Sequence, residues 1–206
     1  MRGLWFGLAL ALVSGPAWGQ TPQQRDWCNS PTATDDQTIE GCTALIGSGR
    51  ETTVNQAAAY YNRGIGYRGK GLYDQAIADY TQAIALKPDY AAAYDNRGNA
   101  YDLKHLYDQA IADYNRAIAL TPGDALDYYN RGVAYGDKGL YDQAIADYTQ
   151  AIALKPDYAA AYDNRGWSYE KKGARDQAVA DYRAALRLDP TRKLAPDGLK
   201  RLGVTP

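Results

Sequence analysis

The tripeptide Asn-Arg-Gly recurs at residues 62–64, 96–98, 130–132 and 164–166, a step of 34 residues each time. Residues 70–98 and 138–166 are identical over 29 positions, two steps apart. A period of this length excludes a single folded-in core. Each period is one supersecondary unit that cannot bury its apolar face alone, so units stack and each touches only its neighbours. Four blocks follow, 57–90, 91–124, 125–158 and 159–192.

Each block reads as two helices. In the third, the first helix runs from Ala125 to about Lys138, and Gly139 breaks it because glycine suits a tight turn better than a helix interior. The second opens with Asp142, whose carboxylate favours the positive end of a helix dipole. Ala144, Ile145, Tyr148, Ala151, Ile152 and Leu154 then form an apolar stripe at spacings of mostly three and four. Pro156 ends it by removing a donor and disfavouring helix at the residue before. The predicted architecture is an all-α solenoid.

Numbered 1 to 34, the blocks resemble the tetratricopeptide repeat family. Tyr60, Tyr94, Tyr128 and Tyr162 stand at position 4, and Gly64, Gly98, Gly132 and Gly166 at position 8. Tyr67, Tyr101, Tyr135 and Tyr169 take position 11; Ala76, Ala110, Ala144 and Ala178 take position 20. Tyr80, Tyr114, Tyr148 and Tyr182 follow at 24, alanines 83, 117, 151 and 185 at 27, and prolines 88, 122, 156 and 190 at 32. The resemblance implies a right-handed α-solenoid of four helix pairs over 57–192. The departure is position 7, where the family's leucine is replaced by Arg63, Arg97, Arg131 and Arg165. A partly buried guanidinium needs a partner, and position 23 offers Asp79, Asp113, Asp147 and Asp181. The spacing predicts an Arg–Asp pair joining the helices of each repeat.

The flanks read as an address and two caps. Met1 and Arg2 precede an uncharged apolar run, Leu4 to Val13, and Ala17 and Gly19 suit the −3 and −1 sites of a signal peptidase. Residues 1–19 are therefore expected to be a signal peptide; the apolar stretch is short for an uncleaved anchor, and no stable membrane insertion is expected after cleavage. In an exported chain Cys28 and Cys42 invite a disulfide, with free thiols or a redox pair as the alternatives, although a Cys-x-x-Cys spacing is absent. Residues 20–56 are read as an N-terminal cap and linker. Its helix is expected over 36–46, with Ile39 matching Ile77 and Cys42 matching Tyr80, the linker starting at Gly47–Gly49 and Pro31 barring a regular helix over 28–34. Residues 193–206 form a C-terminal cap, in which a helix over 195–202 covers the last repeat with Leu199 and Leu202 while Lys200 and Arg201 face water. Disulfide-capped chains of this kind resemble exported proteins of Gram-negative bacteria, implying a periplasmic or secreted location.

Little in the chain suggests catalysis. There is one histidine, His105, at the inter-helix turn where the other blocks carry Gly71, Gly139 and Gly173, and a turn residue in left-handed conformation is expected. With two cysteines besides, a metal cluster or histidine-based triad has little to draw on. Phosphate-cradling, zinc-protease and serine-hydrolase motifs are absent, and the carboxylates recur with the repeat instead of forming one unique acid–base pair. The expectation is no enzyme, no cofactor and no metal. With 23 basic against 24 acidic residues the net charge is −1, which argues against a nucleic-acid partner bound by overall charge.

What remains is surface. The family resemblance implies a concave groove lined by the first helices, binding an extended peptide or a partner helix. Its groove positions fall here on Tyr61, Ile65 and Arg68; on Asp95, Asn96, Asn99 and Asp102; on Leu126, Tyr129, Asn130, Val133 and Asp137; and on Asp163, Asn164, Trp167, Glu170 and Lys171. Trp167 stands out because it replaces Asn99 in otherwise duplicated surroundings. Aromatic anchors beside amides and carboxylates would suit a partner with apolar and basic side chains. Some family members clamp a C-terminal carboxylate with lysine and arginine, but the corresponding positions hold Tyr61, Ile65, Asn96, Leu126 and Asn130, so that mode is not expected. Two function classes survive: a groove-binding adaptor or assembly factor, and a self-associating structural array. Tyr61, Tyr90, Tyr129 and Tyr158 lie outside the family packing positions and could serve either.

Overall fold

The computed structural model describes residues 22–205; the expected signal segment lies outside the described residues. Eleven α-helices follow one another, with no strand among the described residues. An N-terminal pair, α1 (Pro22–Asn29) and α2 (Asp35–Ser48), precedes four further pairs: α3 (Thr53–Gly69) with α4 (Tyr73–Leu86), α5 (Ala91–Leu103) with α6 (Tyr107–Leu120), α7 (Ala125–Asp137) with α8 (Tyr141–Leu154), and α9 (Ala159–Lys171) with α10 (Arg175–Leu188). A last helix, α11 (Leu194–Arg201), closes the chain. No helix among the described residues is long and apolar enough to cross a membrane.

Small residues and one tyrosine per repeat set the packing. The alanines at positions 20 and 27 have no accessible surface in any of the four repeats, and the position-24 tyrosines are buried beside them. Each tyrosine ring packs directly against its own repeat's glycine: a Cβ on Gly98 would stand 2.8 Å from Cε1 of Tyr114. An aromatic side chain buries roughly 150–250 Å², worth about 4–6 kcal/mol at ~25 cal/mol/Å², so this plug is a major apolar contribution in each unit. The turns follow equally local rules. Gly71, Gly139 and Gly173 have φ of +73°, +80° and +74°, and His105 takes φ +59° in the same place, as its turn position required.

The arginines and aspartates of positions 7 and 23 pair in every repeat. Each guanidinium Nε donates to one carboxylate oxygen at 2.7 Å, and Nη2 donates to the other at 2.6–2.8 Å. The remaining Nη1 reaches back to the preceding second helix, to Thr43, Thr81, Asn115 and Thr149. One side chain thus ties three helices. It is also stacked near the position-4 and position-11 tyrosine rings, 5.5–6.0 Å from their centroids. A second inter-repeat rung joins Lys70 to Asp36, Lys104 to Asp74, Lys138 to Asp108 and Lys172 to Asp142.

The ends correct the expectations in four places. Residues 22–29 form a first capping helix that was not expected, while residues 30–34 around Pro31 are non-helical as expected. Helix α2 continues to Ser48 and stops at Gly49, which is left-handed at φ +62°, instead of yielding to a linker at Gly47. Helix α3 begins at Thr53, capped by Thr52, one turn earlier than the repeat block. The pair α1–α2 is thus a stunted repeat offset by 38 residues from α3–α4, in which Thr43 and Asp36 play the parts of Thr81 and Asp74. Cys42 stands where the tyrosine plug would be, buried and disulfide-bonded to Cys28. Without the ring the helices close up, and a Cβ on Gly41 would lie 2.4 Å from the Gln24 carbonyl oxygen. At the other end Leu199 is fully buried and Leu202 half-buried, but Arg201 does not simply face water: it donates to both oxygens of Glu170 at 2.8 and 2.9 Å.

Helices α1, α3, α5, α7, α9 and α11 touch in succession, whereas α4, α6, α8 and α10 do not touch one another. The stack therefore bends toward the first helices, and their outward face becomes its concave side.

Candidate functional site

Asparagine at position 6 organises the concave face. Asn96 donates to the Tyr61 hydroxyl at 3.2 Å, Asn130 to Asp95 Oδ1 at 2.9 Å and Asn164 to the Tyr129 hydroxyl at 3.0 Å. Asn62 starts the ladder by donating to the Cys28 carbonyl at 2.9 Å. Every asparagine thus grips the position-5 residue, or the cap backbone, of the unit before it. These amides are spent on holding repeat to repeat, which leaves the residues they hold to define the surface.

Those residues alternate. Position 5 is Tyr61, Asp95, Tyr129 and Asp163; position 34, at the entry to the next first helix, is Tyr90, Asp124, Tyr158 and Arg192. Tyr61 and Tyr90 pack with ring centroids 4.9 Å apart at 37°, and Tyr129 and Tyr158 repeat the arrangement at 4.9 Å and 36°. All four rings are half-buried. Lys87 and Lys155 sit over the Tyr90 and Tyr158 rings at 4.8 and 5.0 Å. Between the two ring pairs lies an acidic cluster. Asp95 and Asp127, 8% and 4% exposed, lie on the neighbouring helices α5 and α7, close enough for the Asp95 charge to act on Asp127. Burial pushes both above the usual carboxylate range, and the nearby Asp124 charge adds to the effect. Thr121 donates to Asp127 Oδ2 at 3.0 Å, and Asn99 donates to Asp95 Oδ2 at 3.1 Å. Asp124 is exposed and caps α7 by accepting from the Leu126 amide at 2.9 Å.

The other sequence-selected positions fall into three groups. Ile65 lines a cleft of about 410 Å³ at the N-terminal end of the groove, bounded by Asn62, Thr38, Asp35 and the α1–α2 loop. Asp102 is half-buried, with Oδ1 enclosed and without a partner; burial and the charge of Asp137 push it up to about 6. Val133 is half-buried, Leu126 is 46% exposed, and both sit on α7. At the C-terminal end three candidates are engaged by their own chain. Asp163 is fully buried and takes Arg192 at 2.9 Å. Glu170 accepts from Arg201 and, at 2.6 Å, from the Tyr182 hydroxyl, and Arg201 holds it below the usual range. Trp167 packs edge-on to Tyr141 at 5.5 Å and 80°, with Lys171 5.3 Å from its ring, so much of the surface that made it conspicuous is spent between repeats.

Sequence reasoning passed over Asp124, Asp127 and Arg192. The signal was there in the repeat alignment: position 3 is alanine in three blocks and Asp127 in one, and position 34 alternates aromatic with charged. Among the described residues no group of histidine, cysteine, aspartate and glutamate could hold a metal ion.

Comparison with known proteins places this architecture. Models described as tetratricopeptide repeat match residues 57–90, 125–158 and 159–192, and a further repeat model matches 107–139. The crystal structure of MamA is similar at a TM-score of 0.70 and 31% identity, covering 76% of this chain and 89% of that one. The second repeat domain of human RPAP3, solved by NMR in complex with an HSP70 peptide, is similar at a TM-score of 0.53 and 34% identity, covering 55% of this chain and 94% of that one. The first repeat domain of RPAP3 (Spaghetti), bound to an HSP90 peptide, matches at 0.54 and 28%, covering 55% and 90%. No curated protein sequence matches the chain.

Proposed function

The chain belongs to the tetratricopeptide repeat family, and from that premise we propose that it is a non-catalytic protein-interaction module, an exported adaptor or assembly factor that holds a peptide or partner helix in its concave groove. The observation that carries the reading is the division of labour along the first helices. The asparagine ladder fixes the groove, and half-exposed tyrosine pairs and carboxylates remain to meet a partner. The RPAP3 domains that the chain is similar to were solved with peptides bound. Export is supported by the signal-like residues 1–19 and by the Cys28–Cys42 bridge, which suits an oxidising compartment.

The C-terminal repeat disfavours growth by stacking. Arg183 and Arg187, both exposed, stand where the earlier repeats have Thr81, Asn115 or Thr149 and alanine. A charged outer face on a terminal repeat is a solubility device. The test is photo-cross-linking in the native cell envelope from Leu126, which is exposed in the groove, with Gln150 on α8 as control. One dominant foreign adduct from Leu126 alone is expected. An adduct of the chain to itself would favour the self-associating array, and equal labelling from both sites would remove the groove from consideration.

A further inference from the structure

The alternation along positions 5 and 34 gives the groove a period of two repeats, not one. First helices packed side by side are about 8–10 Å apart, so the Tyr61–Tyr90 and Tyr129–Tyr158 pairs are separated by roughly 20 Å. An extended chain rises ~3.3 Å per residue, so that distance spans about six residues. Midway lies the carboxylate cluster of Asp95, Asp124 and Asp127, in which Asp124 is exposed beside the buried Asp95 and Asp127. Among the described residues no cation is paired with the Asp124 carboxylate, which accepts from the Leu126 amide as the cap of α7. At the corresponding place in the fourth repeat the chain supplies its own cation: Arg192 donates to Asp163 at 2.9 Å from position 34, where the second repeat has Asp124. The fourth repeat thus contains the charge pairing that the second lacks.

Resting on the groove-binding reading above, we propose that the partner is an extended basic peptide read in this two-repeat register. Its apolar or aromatic side chains lie on the Tyr61–Tyr90 and Tyr129–Tyr158 pairs, and a lysine or arginine midway between them faces Asp124 and Asp95 and makes the contact that Arg192 makes with Asp163. The half-buried rings supply flat apolar contact with little side-chain entropy to lose. The central cation supplies register and sign discrimination, since a like charge placed opposite a carboxylate cluster is strongly disfavoured. Exposed Leu126, the second residue of α7 and between Asp124 and Asp127 in sequence, adds apolar surface next to the cationic position.

Fluorescence anisotropy with short labelled peptides tests this on the mature chain. The reference peptide carries two leucines about six residues apart with a lysine midway. One comparison peptide replaces the lysine by glutamate, and another brings the leucines to about four residues apart. The reference is expected to bind at least about tenfold tighter than either. Asp124→Asn, which retains a good helix cap, is expected to remove most of the preference for lysine over glutamate. Tyr158→Ala is expected to weaken the reference peptide while circular dichroism stays helical. Equal binding of the lysine and glutamate peptides, indifference to spacing, or no binding of any of them would overturn the register. If Leu126 then still gives a single foreign adduct in the envelope, groove binding stands and only the partner chemistry is wrong. If it does not, both fall.

Discussion

Replacing Asp113 with alanine strands the Arg97 guanidinium among three helices. Arg97 donates to both Asp113 oxygens at 2.7 Å, and the two side chains are 16% and 7% exposed. Removing one partner of a buried pair costs about 3–5 kcal/mol, because the surviving charge keeps its desolvation penalty without its counter-ion. Arg97 retains Thr81 at 3.0 Å and some access to water, which places the expected loss near the low end, about 3 kcal/mol. For a chain of this length each kcal/mol moves Tm by roughly 2–4 °C, so Asp113→Ala should melt about 6–12 °C lower. Thermal unfolding followed by circular dichroism measures it, and the cycle completed with Arg97→Met and the double variant isolates the coupling. The double variant should recover much of the loss, since an apolar replacement of a buried pair is often neutral. A loss under about 1 kcal/mol, additive with Arg97→Met, would put the pair among weak surface contacts and refute its role as the tie between helices.

The remaining predictions probe other parts of the stack. Replacing Cys28 and Cys42 by alanine should cost about 3 kcal/mol from the closed loop and raise amide exchange in α1 and α2 first, leaving α7 to α10 protected, because each unit touches only its neighbours; simultaneous loss of protection along the whole chain would contradict this. Gly98→Ala places a methyl 2.8 Å from the Tyr114 ring, and an overpacking loss of about 1–3 kcal/mol should appear in urea unfolding; an unchanged midpoint would mean the ring is free to move. Asp127 and Asp102 are pushed up to about 7 and about 6, so between pH ~4 and ~7 the folded chain binds protons that the unfolded chain has lost. Stability should therefore fall as pH rises through that window, and Asp127→Asn should flatten the slope; a Tm that rises from pH 5 to 7 would reverse the sign.

Repetition made the fold legible. A feature present in four copies, such as the glycine under each tyrosine or the Arg–Asp pair across each helix hairpin, is supported by every copy at once, and the structure repeats it each time. The ends were harder to read because they occur once and depart from the period. Helix α1 has no counterpart in the 34-residue period and ends two residues before Pro31; it is held to α2 by the close approach at Gly41 and by the disulfide. Within the groove, helix periodicity locates residues on a face but does not reveal which of them their own chain already occupies. Glu170 and Asp163 are taken by Arg201 of α11 and by Arg192, the last residue of the fourth repeat. Trp167 was conspicuous as a departure from the duplicated Asn99, but its ring is largely used against Tyr141. Asp127 shows the converse. It looks like a stray charge at an alanine position, and only its burial near Asp95 of the preceding repeat gives it a part in the groove.

The claim that the concave face is the working surface is tested most directly by comparing photo-cross-linking from Leu126 and Gln150 in the envelope, each in the otherwise unaltered chain and again with Asp124→Asn. A single foreign adduct from Leu126, weakened by Asp124→Asn and absent from Gln150, is the result expected. A foreign adduct formed from Gln150 and not from Leu126 would contradict it and move the interaction to the convex helices.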